Sequence, residues 1–319
     1  MTLPSLHPCF RQAFRHFPGI GEKRLQKLRE AGILRWEDFP EQCPAGLSCL
    51  AKQWGRLYDF AQKNLLAAKQ RNWNFFAENL VSQDRWRLLA AAWEQAVYLD
   101  IETSGVDYQA EVTVISCWDG QQLRLFVRNE NLDDFLEYAE TVPLFATFNG
   151  SLFDIPVLER CFHVPEISPA AHLDLRWVCR QAGLEHGLKS IEGQLGIRRP
   201  KDLQECDGQE AVWLWQRWQS QGHAAARNKL LRYCAADTIA LQAVAAKILG
   251  RYQIDEPHLE PPDDLWSVLN RQIPPIADVQ APQPEPQRKV TPPEETFPNT
   301  FNDPERVRER LLKFLNRKR

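Results

Sequence analysis

A short stretch near residue 100 constrains the fold most strongly. Residues 97–103 read VYLDIET, which is an apolar, β-favouring run that ends in carboxylates. Residues two apart leave a strand on the same face, so Asp100 and Glu102 project together. Adjacent carboxylates repel each other and resist ionisation, and a cation between them removes that conflict. The stretch therefore predicts either a solvated strand end or part of a metal site, and carboxylates elsewhere decide between the two.

The composition excludes several classes of protein. With 44% hydrophobic and 25% charged residues, it is typical of a soluble globular chain. It contains no apolar run of about 18 residues and no secretory layout at its start, so we expect a cytoplasmic protein without a membrane segment. The eight cysteines include no C-x-x-C pair. We therefore expect them to be small core residues rather than zinc ligands.

Charge is distributed unevenly along the chain. Residues 1–94 carry a net charge of +5, residues 95–250 carry −7 and residues 302–319 carry +4. Basic ends around an acidic centre suit a protein that holds a polyanion at its ends and divalent cations at its centre. Ordinary scatter of charges is the alternative.

Short strands and helices follow residue 100. Strands are predicted over 112–118, 123–127 and 144–148, and helices over 131–140 and 153–162. Asp119-Gly120 between the first two is a strong hairpin signal. The order is β-β-β-α-β-α, and a long helix over 224–249 comes later.

Further carboxylates occupy two of these helices. Asp154 falls at a helix start, where a carboxylate also suits the helix dipole. Tyr233 and Asp237 are four residues apart on the long helix and share a face. Taken singly, each is equally compatible with an ordinary surface residue.

Together these segments resemble the DEDD superfamily of 3′–5′ exonucleases in its tyrosine version. The motifs are Asp100-x-Glu102, Asn149-x-x-x-Phe153-Asp154 and Tyr233-x-x-x-Asp237. The resemblance spans about residues 96–249, and 172–175 with 188–197 bring it closest to the YprB-like branch. It implies an α/β fold with a ribonuclease H-like mixed sheet flanked by helices. It also implies a metal-dependent 3′–5′ exonuclease.

The resemblance assigns roles to the motif residues. Oxygen-only ligands favour hard cations, so the cofactor is expected to be two Mg²⁺ or Mn²⁺ ions. Asp100 would bridge both ions, Glu102 and Asp237 would hold the ion on the nucleophile side, and Asp154 would act on the other. Tyr233 would orient the attacking water, because a free phenol is mostly protonated at neutral pH.

Two polar residues near the motifs have open roles. Asn149 either contacts the substrate backbone or caps a turn. Asp174 ends a candidate strand, where it either supports the metal ligands or caps the following helix.

A glycine-rich link joins two predicted helices in the N-terminal region. The helices cover about 8–16 and 22–31, and Gly19 and Gly21 permit a tight link that leaves helix amides free to bind an anion. Lys23 and Arg24 lie nearby. The run Phe17-Pro18-Gly19-Ile20-Gly21 resembles a helix-hairpin-helix motif over about 8–33, which implies contact with nucleic-acid phosphates. Packing against neighbouring helices is the alternative.

These patterns divide the chain into four predicted parts. Residues 1–94 form a small all-α region and 95–252 form the nuclease domain. Residues 253–302 contain 11 of the 22 prolines and form a linker. Residues 303–319 form a basic amphipathic helix that could bind a protein partner, the main body or nucleic acid.

The sequence thus predicts a nuclease acting on DNA or RNA, either single- or double-stranded. The competing functions are a nucleic-acid-binding or scaffold protein that has lost activity on the same fold, and a structure-specific endonuclease.

Overall fold

A computed structural model of the chain describes residues 6–105, 109–254 and 265–276. All of these belong to the compact unit Met1–Val279. The predicted basic helix 303–319 and most of the predicted linker lie outside the described residues. No described helix is long and apolar enough to cross a membrane.

The N-terminal region is helical and is held together by aromatic side chains. Its 3₁₀ and α-helices are Pro8–Gln12, α1 Glu22–Glu30, Trp36–Asp38, Ala45–Gln53, α2 Trp54–Lys69, α3 Trp73–Asn79, Ser82–Asp84, α4 Arg85–Ala91 and Trp93–Gln95. Phe10, Trp36 and Phe76 are fully buried. The rings of Trp36 and Phe76 stack with centroids 5.6 Å apart, and Phe10 meets both edge-on. Such pairs add specific geometry to the burial of large apolar surfaces.

The first helix of the predicted hairpin is shorter than expected. We predicted a helix over 8–16, but a 3₁₀ helix ends at Gln12 and Ala13 is extended. The indole nitrogen of Trp36 donates to the Ala13 carbonyl at 2.6 Å, so this carbonyl bonds a distant side chain instead of a following helical amide. Tertiary packing therefore overrides the helical pattern here.

The central sheet has the predicted strands. They are β1 Ala96–Thr103, β2 Val112–Trp118, β3 Leu123–Val127, β4 Leu144–Thr147 and β5 Ala171–Asp174. The order is β3-β2-β1-β4-β5, in which β1 pairs antiparallel with β2 and parallel with β4. Strand β5 is parallel to β4, and β3 is antiparallel to β2. The β2–β3 turn is the predicted hairpin, where Gly120 has a φ of +90°.

Helices cover both faces of the sheet. They are α5 Asp134–Glu140, α6 Asp154–Cys161, α7 Leu175–Gln181, α8 Leu188–Gln194, α9 Gly208–Gln221, α10 Ala224–Arg251 and α11 Ser267–Gln272. One face packs on α10, where the hydroxyls of Ser116 and Thr238 are 2.8 Å apart. The other packs on α5 and α6 through Phe135 and Leu158, which share a core with Leu99. These features confirm the predicted β-β-β-α-β-α arrangement with flanking helices and a helical N-terminal region.

Candidate active site

The alternation of β1 brings its two carboxylates to the face covered by α10. Leu99 and Ile101 enter the core shared with α5 and α6, so Asp100 and Glu102 lie on the opposite face with Tyr98. Asp100 is half-buried and Glu102 is buried. Ligand atoms of Asp100, Glu102 and Cys234 all lie within 4.8 Å of one another. The predicted pair, Asp100 and Glu102, therefore lies against Cys234 of α10.

Parallel pairing brings the second motif to the same edge of the sheet. Strands β1 and β4 run in the same direction, so the segment that follows β4 meets the end of β1. Asp154 begins α6 and is only 3% exposed. The Ile101 amide donates a hydrogen bond to its carboxylate, which links α6 directly to β1. Burial raises the Asp154 pKa to about 7 despite this bond.

The third motif lies on one face of α10 as its spacing predicts. Tyr233 and Asp237 are both buried. The Asp237 carboxylate accepts a hydrogen bond from the guanidinium of Arg199, which also donates to both oxygens of Glu192 at 2.6 and 2.7 Å. The side chain of Arg199 is about 4% exposed, so this is a buried ion pair with a bidentate partner.

The carboxylates resist ionisation in one another's presence. The pKa values of Asp100 and Glu102 are raised well above normal, first by burial and then by Asp237 and Asp154. Burial also raises the Asp237 pKa, although Arg199 opposes this effect. The four acidic side chains of the three motifs are therefore close enough to affect one another's ionisation.

The donor set of this group suits a hard divalent cation. Asp100, Glu102, Asp154 and Asp237 offer only carboxylate oxygens, which are the ligands that Mg²⁺ and Mn²⁺ prefer. Cys234 Sγ is 3.9 Å from Asp100 Oδ2, but burial raises the thiol pKa well above its usual value. Sulfur is a soft ligand that these hard cations do not favour, so the carboxylate oxygens remain the preferred donors of the site.

Tyr233 lies beside two cations that the motifs do not include. Lys189 Nζ is 5.2 Å from the centre of the Tyr233 ring, and the Arg199 guanidinium is 5.7 Å from it. Burial and then the neighbouring carboxylates raise the phenol pKa. These effects favour the protonated phenol of Tyr233 at neutral pH.

Asp174 has the capping role that was left open for it, and its support of the metal ligands stays a prediction. It caps α7 by accepting from the Arg176 amide at 3.0 Å. It also accepts from the amides of Asn149 and Ser151 at 2.8 and 3.1 Å, and from the Ser151 hydroxyl at 2.5 Å. The segment between β4 and Asp154 is thus fixed by a carboxylate at the end of β5.

Asn149 lies in a turn of this segment, and its contact with the substrate backbone stays a prediction. Its φ is +67°, and its side-chain oxygen accepts from the Arg176 guanidinium at 2.5 Å. The adjacent Gly150 lies against Thr147, and a Cβ at position 150 would collide with that side chain. The tight turn therefore needs glycine for close approach.

The predicted phosphate contacts of the N-terminal region lie together in the hairpin. Gly19 has a φ of +71°, and its carbonyl accepts from the Arg24 guanidinium at 2.6 Å. Gly21 caps α1 without a side-chain hydrogen bond, and Lys23 and Arg24 are exposed in the first turn. Their role in binding nucleic acid stays a prediction.

Sequence reasoning did not identify Arg199, Glu192 or Lys189 as site residues. The helical stretch that contains Lys189 and Glu192 was noted only for its resemblance to the exonuclease family. Arg199 is part of a run of adjacent arginines, which is the one available signal. Nothing in that run indicates which arginine is buried, because the contact with Asp237 spans 38 positions.

The central part of the chain matches a known family. Residues 97–249 match the sequence model of the RNase_H superfamily. This match and the mixed five-stranded sheet together define the central part of the chain as a ribonuclease H-like domain. No curated protein shows significant similarity to the chain.

Several solved structures are similar to parts of the chain at low identity and low TM-score. One described as the apo form of a nuclease is 22% identical, with a TM-score of 0.37, and the match covers 52% of this chain and 76% of that one. Brucella melitensis NrnC with bound Mg²⁺ is 20% identical, with a TM-score of 0.36 and coverage of 52% and 78%. The family B DNA polymerase of Pyrobaculum calidifontis is 14% identical, with a TM-score of 0.37 and coverage of 60% and 31%.

Proposed function

We propose that the protein is a metal-dependent nuclease that hydrolyses phosphodiester bonds with two metal ions, and that it acts as a 3′–5′ exonuclease. The observation that carries this proposal is the convergence of carboxylates: ligand atoms of Asp100 and Glu102 lie within 4.8 Å of each other, and the buried Asp154 and Asp237 are close enough to raise the pKa values of both. A buried group of carboxylates with raised pKa values is costly in the absence of cations. Such an arrangement is a recognised feature of functional sites.

The four carboxylates would hold the ions, which when bound stabilise the attacking and leaving oxygens of an in-line displacement. Asp100 would be the central ligand, and each of the other three carboxylates raises its pKa. Tyr233, kept protonated by its surroundings, orients the attacking water by hydrogen bonding. Arg199 holds Asp237 through Nη2, the same nitrogen that donates to Glu192.

The N-terminal hairpin would supply affinity for nucleic acid without reading its sequence. The free amides at the start of α1 and the exposed side chains of Lys23 and Arg24 support this part of the proposal. Catalysis and binding would then depend on different regions of the chain.

The function is tested with end-labelled single- and double-stranded DNA and RNA in Mg²⁺, Mn²⁺ or EDTA. A 5′-labelled strand should yield a ladder of shortening products with metal and remain intact in EDTA. A circular single strand should resist an exonuclease, whereas an endonuclease would cut it. Asp100→Ala should abolish hydrolysis and retain most of the binding, while the exposed control Asp59→Ala should keep both. Absence of metal-dependent degradation of every substrate would overturn the proposal.

One observation favours a second candidate, a nucleic-acid-binding protein without catalysis. The pairing of Asp237 with Arg199 neutralises one of the four acidic groups without a metal ion. In the same assay this candidate gives binding of the oligonucleotide, no degradation, and no thermal stabilisation by Mg²⁺ or Mn²⁺.

A further inference from the structure

A cavity of about 420 Å³ opens beside the candidate active site, between α8 and the segment that follows it. Lys189, Arg198, Arg199 and Gln204 contribute to its lining. Two of these residues also face the candidate active site, because Lys189 and Arg199 lie over the ring of Tyr233. The cavity is therefore adjacent to Tyr233 and Asp237.

The charges on this cavity are unevenly compensated. The carboxylate of Glu192 is fully engaged by Arg199, which donates to both of its oxygens. Lys189 and Arg198 form no ion pair within the described part of the chain, and Arg198 is exposed. The charge of Lys189 is partly compensated, because Lys189 acts to lower the pKa values of Glu102 and Asp237, whereas the charge of Arg198 remains for a ligand and makes the lining attractive to an anion.

A buried donor in the lining also lacks an acceptor. Arg199 is only 6% exposed, and its Nη1 atom is buried without a hydrogen-bond partner among the described residues. Because this atom has almost no accessible surface, a ligand in the cavity does not reach it, and Arg199 contributes its charge to the wall rather than a free hydrogen-bond donor. The amide nitrogen of Gln204 already donates to the Arg199 carbonyl at 3.1 Å, so it stiffens the same wall.

We propose that this cavity binds a backbone phosphate of the substrate strand, one that neighbours the phosphodiester being cleaved. The inference rests on the proposed nuclease function. A strand whose scissile phosphate lies at the carboxylates must continue past their walls, and the wall at Tyr233 leads into the cavity through Lys189 and Arg199. Lys189 and Arg198 would contact the phosphate oxygens. Contacts of this kind hold a strand in register and are independent of base sequence.

The test combines protein and substrate substitutions. Single-stranded DNA and RNA oligonucleotides are prepared with a neutral methylphosphonate at each of the first four linkages from the 3′ end, one at a time. Binding to wild type and to the double variant Lys189→Gln/Arg198→Gln is measured by fluorescence anisotropy in Ca²⁺, under conditions where the strand stays intact. A double variant of exposed cations elsewhere, Arg180→Gln/Lys247→Gln, is the matched control for total charge.

At one linkage, the effect of the methylphosphonate on binding should depend on Lys189 and Arg198. Its methylphosphonate is expected to weaken binding to wild type and to the control about tenfold, since charge-assisted hydrogen bonds are lost. The same replacement should cost the Lys189→Gln/Arg198→Gln protein little further affinity. The salt dependence of binding by that variant should also be less steep, by about 0.7 in the slope of log affinity against log salt for one phosphate.

The outcomes separate this inference from the function on which it rests. A wild-type protein that degrades the oligonucleotides but shows no coupling at any linkage overturns the phosphate cavity alone. Equal losses in the cavity variant and in the charge control also overturn it. A protein that degrades no substrate in the metal-dependent assay overturns the nuclease proposal, and the phosphate cavity falls with it.

Discussion

The guanidinium of Arg199 donates a hydrogen bond to the carboxylate of Asp237, joining the segment after α8 to the middle of α10. The same guanidinium holds Glu192 in a bidentate pair. Arg199 lies outside the motifs, and it holds the carboxylate of the motif residue Asp237.

Replacing Arg199 should destabilise the protein strongly. Arg199→Met leaves the buried carboxylate of Glu192 without its partner, and breaking a buried pair from one side typically costs about 3–5 kcal/mol. We expect a loss of about 3 kcal/mol in the free energy of unfolding, measured by urea denaturation. Arg198→Met, at an exposed neighbouring position, should change it by less than about 0.5 kcal/mol.

A double variant that lacks both charged side chains tests the same Glu192–Arg199 ion pair. Glu192→Leu/Arg199→Met should be less destabilised than Arg199→Met, because no unpaired charge remains at position 192. Equal stabilities of the single and double variants would show that the Glu192 pair does not account for the loss.

Asp100→Asn should stabilise the metal-free protein and remove its response to metal. The substitution takes away a carboxylate that interacts unfavourably with Asp237, Asp154 and Glu102. In EDTA, the free energy of unfolding should rise by about 1 kcal/mol, as is typical when a functional site is relieved of strain. Thermal denaturation in EDTA measures this, with Asp59→Asn as the exposed control.

Added Mn²⁺ should then distinguish the two proteins. Wild type should gain about 2.7 kcal/mol at a metal concentration 100 times the dissociation constant, because the ion binds only the folded state. Asp100→Asn should gain much less at the same concentration. An equal gain in both proteins would place the metal away from Asp100.

Gly150→Ala tests the close approach that forms the loop before Asp154. The added Cβ would collide with the side chain of Thr147, which is fully buried at the end of β4. We expect a loss of about 1–3 kcal/mol in the free energy of unfolding, together with lower nuclease activity because the loop leads to Asp154. Gly55→Ala, where the new methyl meets no atom within 4 Å, should be neutral or slightly stabilising.

His16 should make the stability of the N-terminal region sensitive to acid. Its Nε2 lies 2.7 Å from Asn64 Oδ1, and its Nδ1 is buried without a hydrogen-bond partner. The Asn64 amide nitrogen donates to Phe60, so the oxygen accepts from Nε2 and the proton-free nitrogen is Nδ1. Burial lowers the His16 pKa below 6.5, although the bond to Asn64 opposes the shift.

The sign of this effect follows from the lowered pKa. The unfolded state binds the proton more readily, so the contribution of His16 is fully present above about pH 6.5 and is lost as the pH falls through the folded-state pKa. The loss is at most about 1.4 kcal/mol per pH unit. Urea denaturation from pH 7.5 to 5.5 should therefore show a smaller decline for His16→Gln than for wild type. The exposed control His163→Gln should decline as wild type does.

Local patterns were sufficient to predict the central sheet. The bounds of β2 and β3 agree with the predicted strands, because β-favouring residues are bounded by a turn that Asp119 and Gly120 can form. The prediction of a helix over 8–16 was wrong, since the indole of Trp36 captures the Ala13 carbonyl from 23 positions away. The spacing of residues indicates which secondary structure a segment favours. It carries no information about hydrogen bonds from side chains that are distant in the sequence.

The sequence by itself determined which side chains of one strand or helix share a face. Period two places Asp100 and Glu102 on one face of β1, and helical spacing places Tyr233 and Asp237 on one face of α10. Only the tertiary structure decided that Arg199 and Glu192 border this group, that Asp174 fixes the loop before Asp154, and that a cationic cavity opens beside Tyr233. The reason is physical. Periodicity fixes the direction of a side chain relative to its own element, whereas pairing and burial depend on which elements pack together.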